Sequence, residues 1–429
     1  MKASSLRRQT AVLTCANALV RALGFALHVA LSRLLGAEAL GIMELSHSAH
    51  MLSIAPVTAG LPVAVSRLTA RRTDAAPLRA GVSLALRMSA ALIPLWALLA
   101  PALARLLGDA RVLLPLWAFT PCILLLGLSA VYSGYCYGRG SAWPPALGTL
   151  TEQGVRFLFS ALLLTLLPGL SVSARAAVPG AAAVLAEAAS LGVMICLLRR
   201  EGAPLSAPPD AALRREILRL SLPLTVTRLA QTLSRAALGA LLPRRLMAGG
   251  ASPAEATSAL GMLQGMVLPV LFLPGIFTAA VGMVGAPAIA RRQGRPLRLL
   301  AGRLLAAALG YGVLGGLAVY AAAPFLANTV YRLPPLTPLF RSAAPLTLLF
   351  ALQQAAGTLL SGLGEQKKTL MPTLAGTALM LVCVYRLAAT PLGVYGAVYA
   401  LLMGRAVSLL LQLAAALPLL TGSAAPAGP

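Results

Sequence analysis

"VRALGFALHVALSRLLGAEALG", Val20 to Gly41, is apolar enough to lie in a bilayer, yet it carries Arg21 and His28 inside what reads as a spanning helix. A charged side chain near the bilayer centre costs at least about 2.5 to 3.5 kcal/mol, so it must face water or a partner. The apolar run from Thr10 to about Leu34 exceeds the roughly 7 to 15 residues of a secretory leader and reads as a retained first helix.

The surrounding chain has the same character. Of 429 residues, 59% are hydrophobic and 11% charged, and the mean hydropathy is +0.84, which describes a polytopic membrane protein and not a soluble domain. The net charge of +24 is not that of a nucleic-acid binder, because the basic residues form short clusters between apolar runs, as in membrane loops. The five cysteines, Cys15, Cys122, Cys136, Cys196 and Cys383, stand singly in apolar segments without metal-ligand spacing and read as packing residues.

Allowing about 20 apolar residues per span predicts an all-α protein of twelve transmembrane helices. They lie near 10–34, 44–68, 78–100, 112–134, 145–167, 176–198, 216–240, 257–285, 299–323, 338–360, 371–387 and 394–416. Of the 35 Lys and Arg residues, twenty fall in the loops of the side that holds the N-terminus and nine in those of the other. The excess marks the cytoplasmic side, so both termini are expected there, in a multi-pass protein of the cytoplasmic membrane. The Pro- and charge-rich "RREGAPLSAPPDAALRRE", Arg199–Glu216, divides the chain. The expected organisation is a six-helix lobe in 1–200, a cytoplasmic linker in 201–215, a second six-helix lobe in 216–418 and a disordered tail in 419–429. The halves echo one another. "GLPVAVSRLTARR" is matched by "VGMVGAPAIARRQGR", with Arg71 opposite Arg291, and "GYCYGRGSAWPPAL" by "SGLGEQKKTLMPTL", with Gly138 and Gly140 opposite Gly362 and Gly364. Duplicated bundles of this kind place substrate between pseudo-symmetric lobes.

Six arginines fall within predicted spans: Arg21, Arg87, Arg156, Arg228, Arg235 and Arg405. Arg21 and Arg228 occupy equivalent central positions of helices 1 and 7. Residues seven apart lie about 20° from one another around a helix, so Arg21 shares a face with His28, and Arg228 with Arg235 and Gln231. Faces of this chemistry turned toward a common cavity call for an anion, since guanidinium offers a planar fork suited to phosphate and carboxylate. For Arg156, Glu152 one turn earlier supplies a structural partner. Arg87 and Arg405 lie near inner helix ends, where snorkelling accounts for them; Arg87 remains a lesser cavity candidate. Glu152, Arg156 and the lone acid Glu187 are candidates for ion coupling or cavity lining. His47 stands three residues after Glu44, a spacing that admits a proton or metal relay, but His47 and His50 read rather as a polar helix terminus near the outer surface. Pro56, Pro62, Pro269 and Pro274 are expected to bend helices 2 and 8 as hinges. No phosphate-binding P-loop, metalloprotease motif, nucleophile elbow or metal cluster is present in the sequence, which points to a transporter and not an enzyme, without cofactor apart from a coupling H+ or Na+.

"RALGFALHVALSRLLGAEALGIMEL", "AGLPVAVSRLTA", "LLPLWAFTPCILLLGLSAVYSGYCYGRGSAWPPALGTLTEQGVRF", "LSLPLTVTRLAQTLS" and "TPLGVYGAVYALLMGRAVSLLLQL" resemble the stage V sporulation protein B-like members of the polysaccharide-exporter branch of the MOP (MATE-like) superfamily. The resemblance runs from about Leu6 to Leu417. It implies two six-helix lobes around a central cavity and alternating access. The cargo it implies is an undecaprenyl-pyrophosphate-linked oligosaccharide or peptidoglycan precursor, such as lipid II, flipped from the inner to the outer leaflet for the cell wall. Arg21 matches a cavity arginine of the related lipid II flippases, whereas Leu27 stands where they have a second. The chain also has twelve predicted helices where many relatives have fourteen, and its first helix lacks the acid on which MATE ion coupling relies.

The expectation is therefore a flippase for a lipid-linked saccharide, acting in the bilayer as a monomer or beside cell-wall synthesis enzymes. A MATE-like, cation-coupled exporter of small molecules is the alternative. Organic cations would call for acids and aromatics, and aromatics make up only 5% of the chain.

Overall fold

The computed structural model describes residues 3–72, 74–202, 210–273, 289, 294–363, 365 and 367–421. Pro274, Arg291, Gly364, residues 203–209 of the predicted linker and residues 422–429 of the tail lie outside the described residues, as do the side chains of Cys15, Arg21 and Gln231. The described chain is nearly all helix, with no strand among the described residues. It divides into two compact units, Met1–Ala240 and Leu241–Pro429.

The N-terminal unit holds α1 (Ala3–Thr58), α2 (Leu61–Thr69), α3 (Ala76–Leu107), α4 (Leu113–Phe119), α5 (Cys122–Gly138), α6 (Trp143–Leu166), α7 (Val172–Arg200) and most of α8 (Ala211–Ala248). The first two predicted spans are continuous in α1 except for a sharp break at Gly36, whose φ of +75° is readily adopted only by glycine. The break frees backbone carbonyls, and the Leu34 oxygen accepts a hydrogen bond from Arg175 Nη2 at 2.5 Å. Arg111 secures the next turn by binding Glu38 at 2.5 Å and Asp109 at 2.7 Å.

The second predicted span is interrupted where its prolines sit, between Thr58 and Leu61. Pro56 lies in the last turn of α1 and Pro62 in the first turn of α2, where its missing N–H costs nothing. Between them Gly60 lies so close to the Ser221 backbone of α8 that a Cβ would clash with it. This replaces apolar burial as the device that seats one helix on another, since lipid is as apolar as the core and close contact comes from small residues.

The C-terminal unit holds the end of α8, then α9 (Pro253–Leu260), α10 (Leu268–Phe272), α11 (Gly294–Phe325), α12 (Leu336–Ala343), α13 (Pro345–Gly362), α14 (Lys367–Leu387) and α15 (Val394–Thr421). A reciprocal capping box starts α9: Ser252 Oγ accepts from the Glu255 amide while Glu255 accepts from the Ser252 amide at 2.8 Å. Pro269 sits at the start of α10, directly after the π-helical turn Gly261–Val267, and a second π-helical turn, Leu326–Val330, follows α11.

Every predicted span falls mainly on helical backbone where it is described, but among the described residues eight helices, or nine with the bent pair Ala110–Phe119 and Cys122–Gly138, are long and apolar enough to cross a membrane. The count of twelve is not reached by that measure. α6 and α8 are long enough at 24 and 38 residues, yet charged and amide residues, Glu152, Gln153 and Arg156 in one and Arg228, Gln231 and Arg235 in the other, lower their apolarity. Large apolar side chains are exposed all around the helices, Leu98 at 79% and Leu314 at 69% among them, as lipid-facing surfaces require.

Candidate functional site in the N-terminal unit

A group of polar side chains lies inside the N-terminal unit, brought together by α1, α5, α6, α7 and α8. Its buried acid is Glu187 of α7, 3% exposed in a stretch of alanines. Ser129 Oγ of α5 donates to Glu187 Oε2 at 3.3 Å, and Arg156 Nη2 of α6 stands 4.0 Å from Glu187 Oε1. Arg156 also binds Glu152 on the preceding turn of α6, so one guanidinium serves two carboxylates. Its Nε is buried with no hydrogen-bond partner among the described residues.

On α1, Glu44, His47 and His50 continue the group. Phe119 of α4 packs between helices so that His47 is tilted against its ring at 5.6 Å and His50 stacks on it at 5.1 Å. Ser53 Oγ lies 3.1 Å from His50 Nδ1 and donates to the His50 carbonyl at 2.7 Å. His47 is within electrostatic reach of Glu44, Arg156, His28 and Arg235, which ties both parts of α1 to α6 and α8. Arg235 in turn is within reach of Arg228 and of Glu44. Arg228 and Arg235 are both exposed, and among the described residues no ion pair joins either of them to an acid. Gly24, three residues past Arg21, lies beside Gln153 of α6, placing that stretch of helix 1 along the same helix as Glu152 and Arg156.

The family described as "Polysaccharide biosynthesis protein" matches residues 6–293. The chain belongs to that family. The chain is 26% identical to stage V sporulation protein B of Bacillus subtilis (strain 168), over 96% of its own length and 84% of that relative. In fold it is similar to an inward-facing multidrug resistance MATE family transporter of the MOP superfamily, with a TM-score of 0.72 and 18% identity over 94% of this chain and 95% of that one. An outward-facing transporter of the same description gives 0.63 at 18% identity, covering 95% of each. A MOP superfamily transporter from Pyrococcus furiosus Vc1, described as having a binding pocket of reverse polarity, gives 0.64 at 15% identity over 94% of each. The fold of the chain is thus that of the MOP transporters, and its neighbours are transporters, not enzymes.

The structure brings His28, Glu152, Arg156, Glu187, Arg228 and Arg235 into one region, as set out above. Arg87 does not join them: it is exposed on α3 and enters none of these interactions. Arg405 is not a snorkelling residue either. Its Nη1 donates to Gln353 Oε1 at 3.1 Å, its carbonyl accepts from Gln353 Nε2 at 3.2 Å, and its guanidinium lies 5.1 Å from the Phe350 ring, so it ties α15 to α13. His47 and His50 correct the reading as a helix terminus. They lie well inside α1, His50 at 1% exposure, because the helix continues to Thr58 and Phe119 covers their faces. Glu44 was noted in the sequence only as the residue three before His47, and Ser129 was not noted. The spacing of Glu44 and His47 was a visible signal, whereas nothing along the chain links Glu44 to Arg235 or Ser129 to Glu187.

Proposed function

We propose that this protein moves a lipid-linked, pyrophosphate-bearing saccharide or peptidoglycan precursor from the inner to the outer leaflet by alternating access between its two lobes. The observation that supports this reading best is the pair Arg228 and Arg235, exposed on one face of α8 and close enough to repel each other. Two like charges along one apolar helix are tolerated only beside water or an anion. A pyrophosphate answers both, because each guanidinium presents a fork of donors to phosphate oxygens. Arg21, Gln231 and His28 are proposed to complete the contact. Glu44 moderates the repulsion without neutralising the pair, and so leaves a net positive face.

The Glu152–Arg156–Glu187 group is proposed as the coupling element. Binding of a proton or Na+ by its carboxylates would loosen their hold on Arg156, and a change there would pass along α6 and α7. Pro56, Pro62, Pro269 and Pro274 are proposed as the points where the helices bend during the exchange. Both termini are assigned to the cytoplasm by the charge distribution.

The test is reconstitution of the purified protein in vesicles with a fluorescent undecaprenyl-pyrophosphate saccharide, reading its arrival in the opposite leaflet. Protein-dependent transfer is expected. Efflux of organic cations with no lipid transfer would overturn the reading in favour of a drug exporter.

A further inference from the structure

A second polar site lies apart from the group just described, where α2 and α5 end. Thr69, Ala70, Arg72, Asp74, Tyr135, Gly138 and Arg139 line a cavity of about 340 Å³. Its wall is formed by a close helix contact: a Cβ on Gly138 would collide with the Ser66 carbonyl and the Thr69 side chain. Thr69, 3% exposed, has a buried hydroxyl with no hydrogen-bond partner among the described residues. Tyr135 is 2% exposed, and its hydroxyl oxygen accepts a hydrogen bond from Arg139 Nη1 at 3.3 Å. Arg72 gives Nε and Nη2 to Asp74 at 3.2 and 3.3 Å.

These contacts orient both guanidiniums without using them up. Among the described residues Arg72 keeps Nη1, and Arg139 keeps Nε and Nη2, while the Asp74 carboxylate is already engaged in two hydrogen bonds. What remains is a pair of donor edges beside an orphaned hydroxyl, with net positive charge. Arg71 is exposed nearby on the same turn and adds to the basic rim. We propose that this cavity binds a phosphate group, carried either by an anionic lipid headgroup or by a free phosphate compound, at the face where the loop arginines cluster. The site does not depend on what the protein transports.

The full-length protein is compared with R72Q/R139Q and with R67Q, a neighbouring exposed arginine that does not line the cavity. Inorganic pyrophosphate binding is measured calorimetrically in phosphatidylcholine nanodiscs, and retention of short-chain phosphatidylglycerol by native mass spectrometry in detergent. Loss of two charge-assisted contacts should weaken R72Q/R139Q by about tenfold or more in at least one arm, with R67Q within about twofold of the parent. A response in the lipid arm alone identifies a headgroup, and in the pyrophosphate arm alone a soluble phosphate. Equal binding by R72Q/R139Q and the parent in both arms, or equal weakening by R67Q, would overturn the proposal. Unchanged melting temperatures of both variants separate loss of binding from loss of fold.

Discussion

Arg156 and Glu187 face each other at 4.0 Å across α6 and α7, while Glu152 holds the same guanidinium from the preceding turn of α6. A single cation therefore stands between two acids in a unit whose other packing residues are mostly Ala, Leu and Val. Arg156 is about a third exposed, at 35%, and Glu187 only 4%. Removing the cation strands a buried carboxylate, whereas neutralising the carboxylate does not strand the cation, which keeps Glu152. Arg156→Ala is expected to destabilise the protein by about 1 to 3 kcal/mol and Glu187→Gln by less. Thermal unfolding in detergent checks this, together with the double variant, which should be more stable than Arg156→Ala alone. A double variant less stable than either single one would show that the pair is not coupled in this way.

Arg228 and Arg235 carry the transport reading. Each is exposed and without an ion pair among the described residues, so neither is needed to hold helices together. Arg228→Ala and Arg235→Ala should leave membrane abundance unchanged and lower lipid transfer by about tenfold or more, the worth of a charge-assisted contact to phosphate. Arg21→Ala is expected to behave alike in rescue of a flippase-deficient strain. Full rescue by all three variants would remove the basis for an anionic cargo.

Tyr331 Oη donates to the Met266 carbonyl at 3.2 Å, and so joins the two π-helical turns Gly261–Val267 and Leu326–Val330. A π turn displaces carbonyls from the regular ladder, and a buried acceptor left unpaired costs free energy. Tyr331→Phe keeps the ring, which is 4% exposed, but deletes the donor. A loss of about 1 to 3 kcal/mol is expected, read as a lowered melting temperature. A variant as stable as the parent would show that the carbonyl finds another donor.

Gly376 and Gly404 meet where α14 crosses α15, and a Cβ on either would strike the carbonyl oxygen of the other. Valine at either position should therefore separate the helices and reduce the amount of folded protein recovered, in the manner of small-residue crossings in membranes. Gly357 on α13 is the control, since a Cβ there meets nothing within 4 Å. Gly357→Ala is expected to be neutral or slightly stabilising. Recovery of Gly376→Val and Gly404→Val at parental levels would argue against so tight a crossing.

Much of this was legible along the chain because it depends on composition and local spacing. Glu152 and Arg156 meet because residues four apart share a helix face, and Arg228 and Arg235 because residues seven apart nearly do. The short break between α1 and α2 falls between Pro56 and Pro62, at Gly60. The helix count was less secure. A span that carries intramembrane charges, such as α6 or α8, loses the apolarity by which spans are recognised, and the break at Gly36 falls inside what is otherwise one long helix. His47 and His50 were misplaced for a related reason: polar residues resemble a helix end until Phe119 is seen to cover them.

Apolarity over about twenty residues, with arginines confined mainly to one set of loops, was enough to establish a multi-span helical membrane protein, because transfer of side chains into lipid is summed along the chain without regard to neighbours. Which charges are satisfied was decided only in three dimensions. Arg156 and Arg405 are tied to side chains on other helices, Glu187 finds Ser129, and Glu44 comes within reach of Arg235. An electrostatic partner depends on distance in space, and packed helices bring together residues that no local spacing relates.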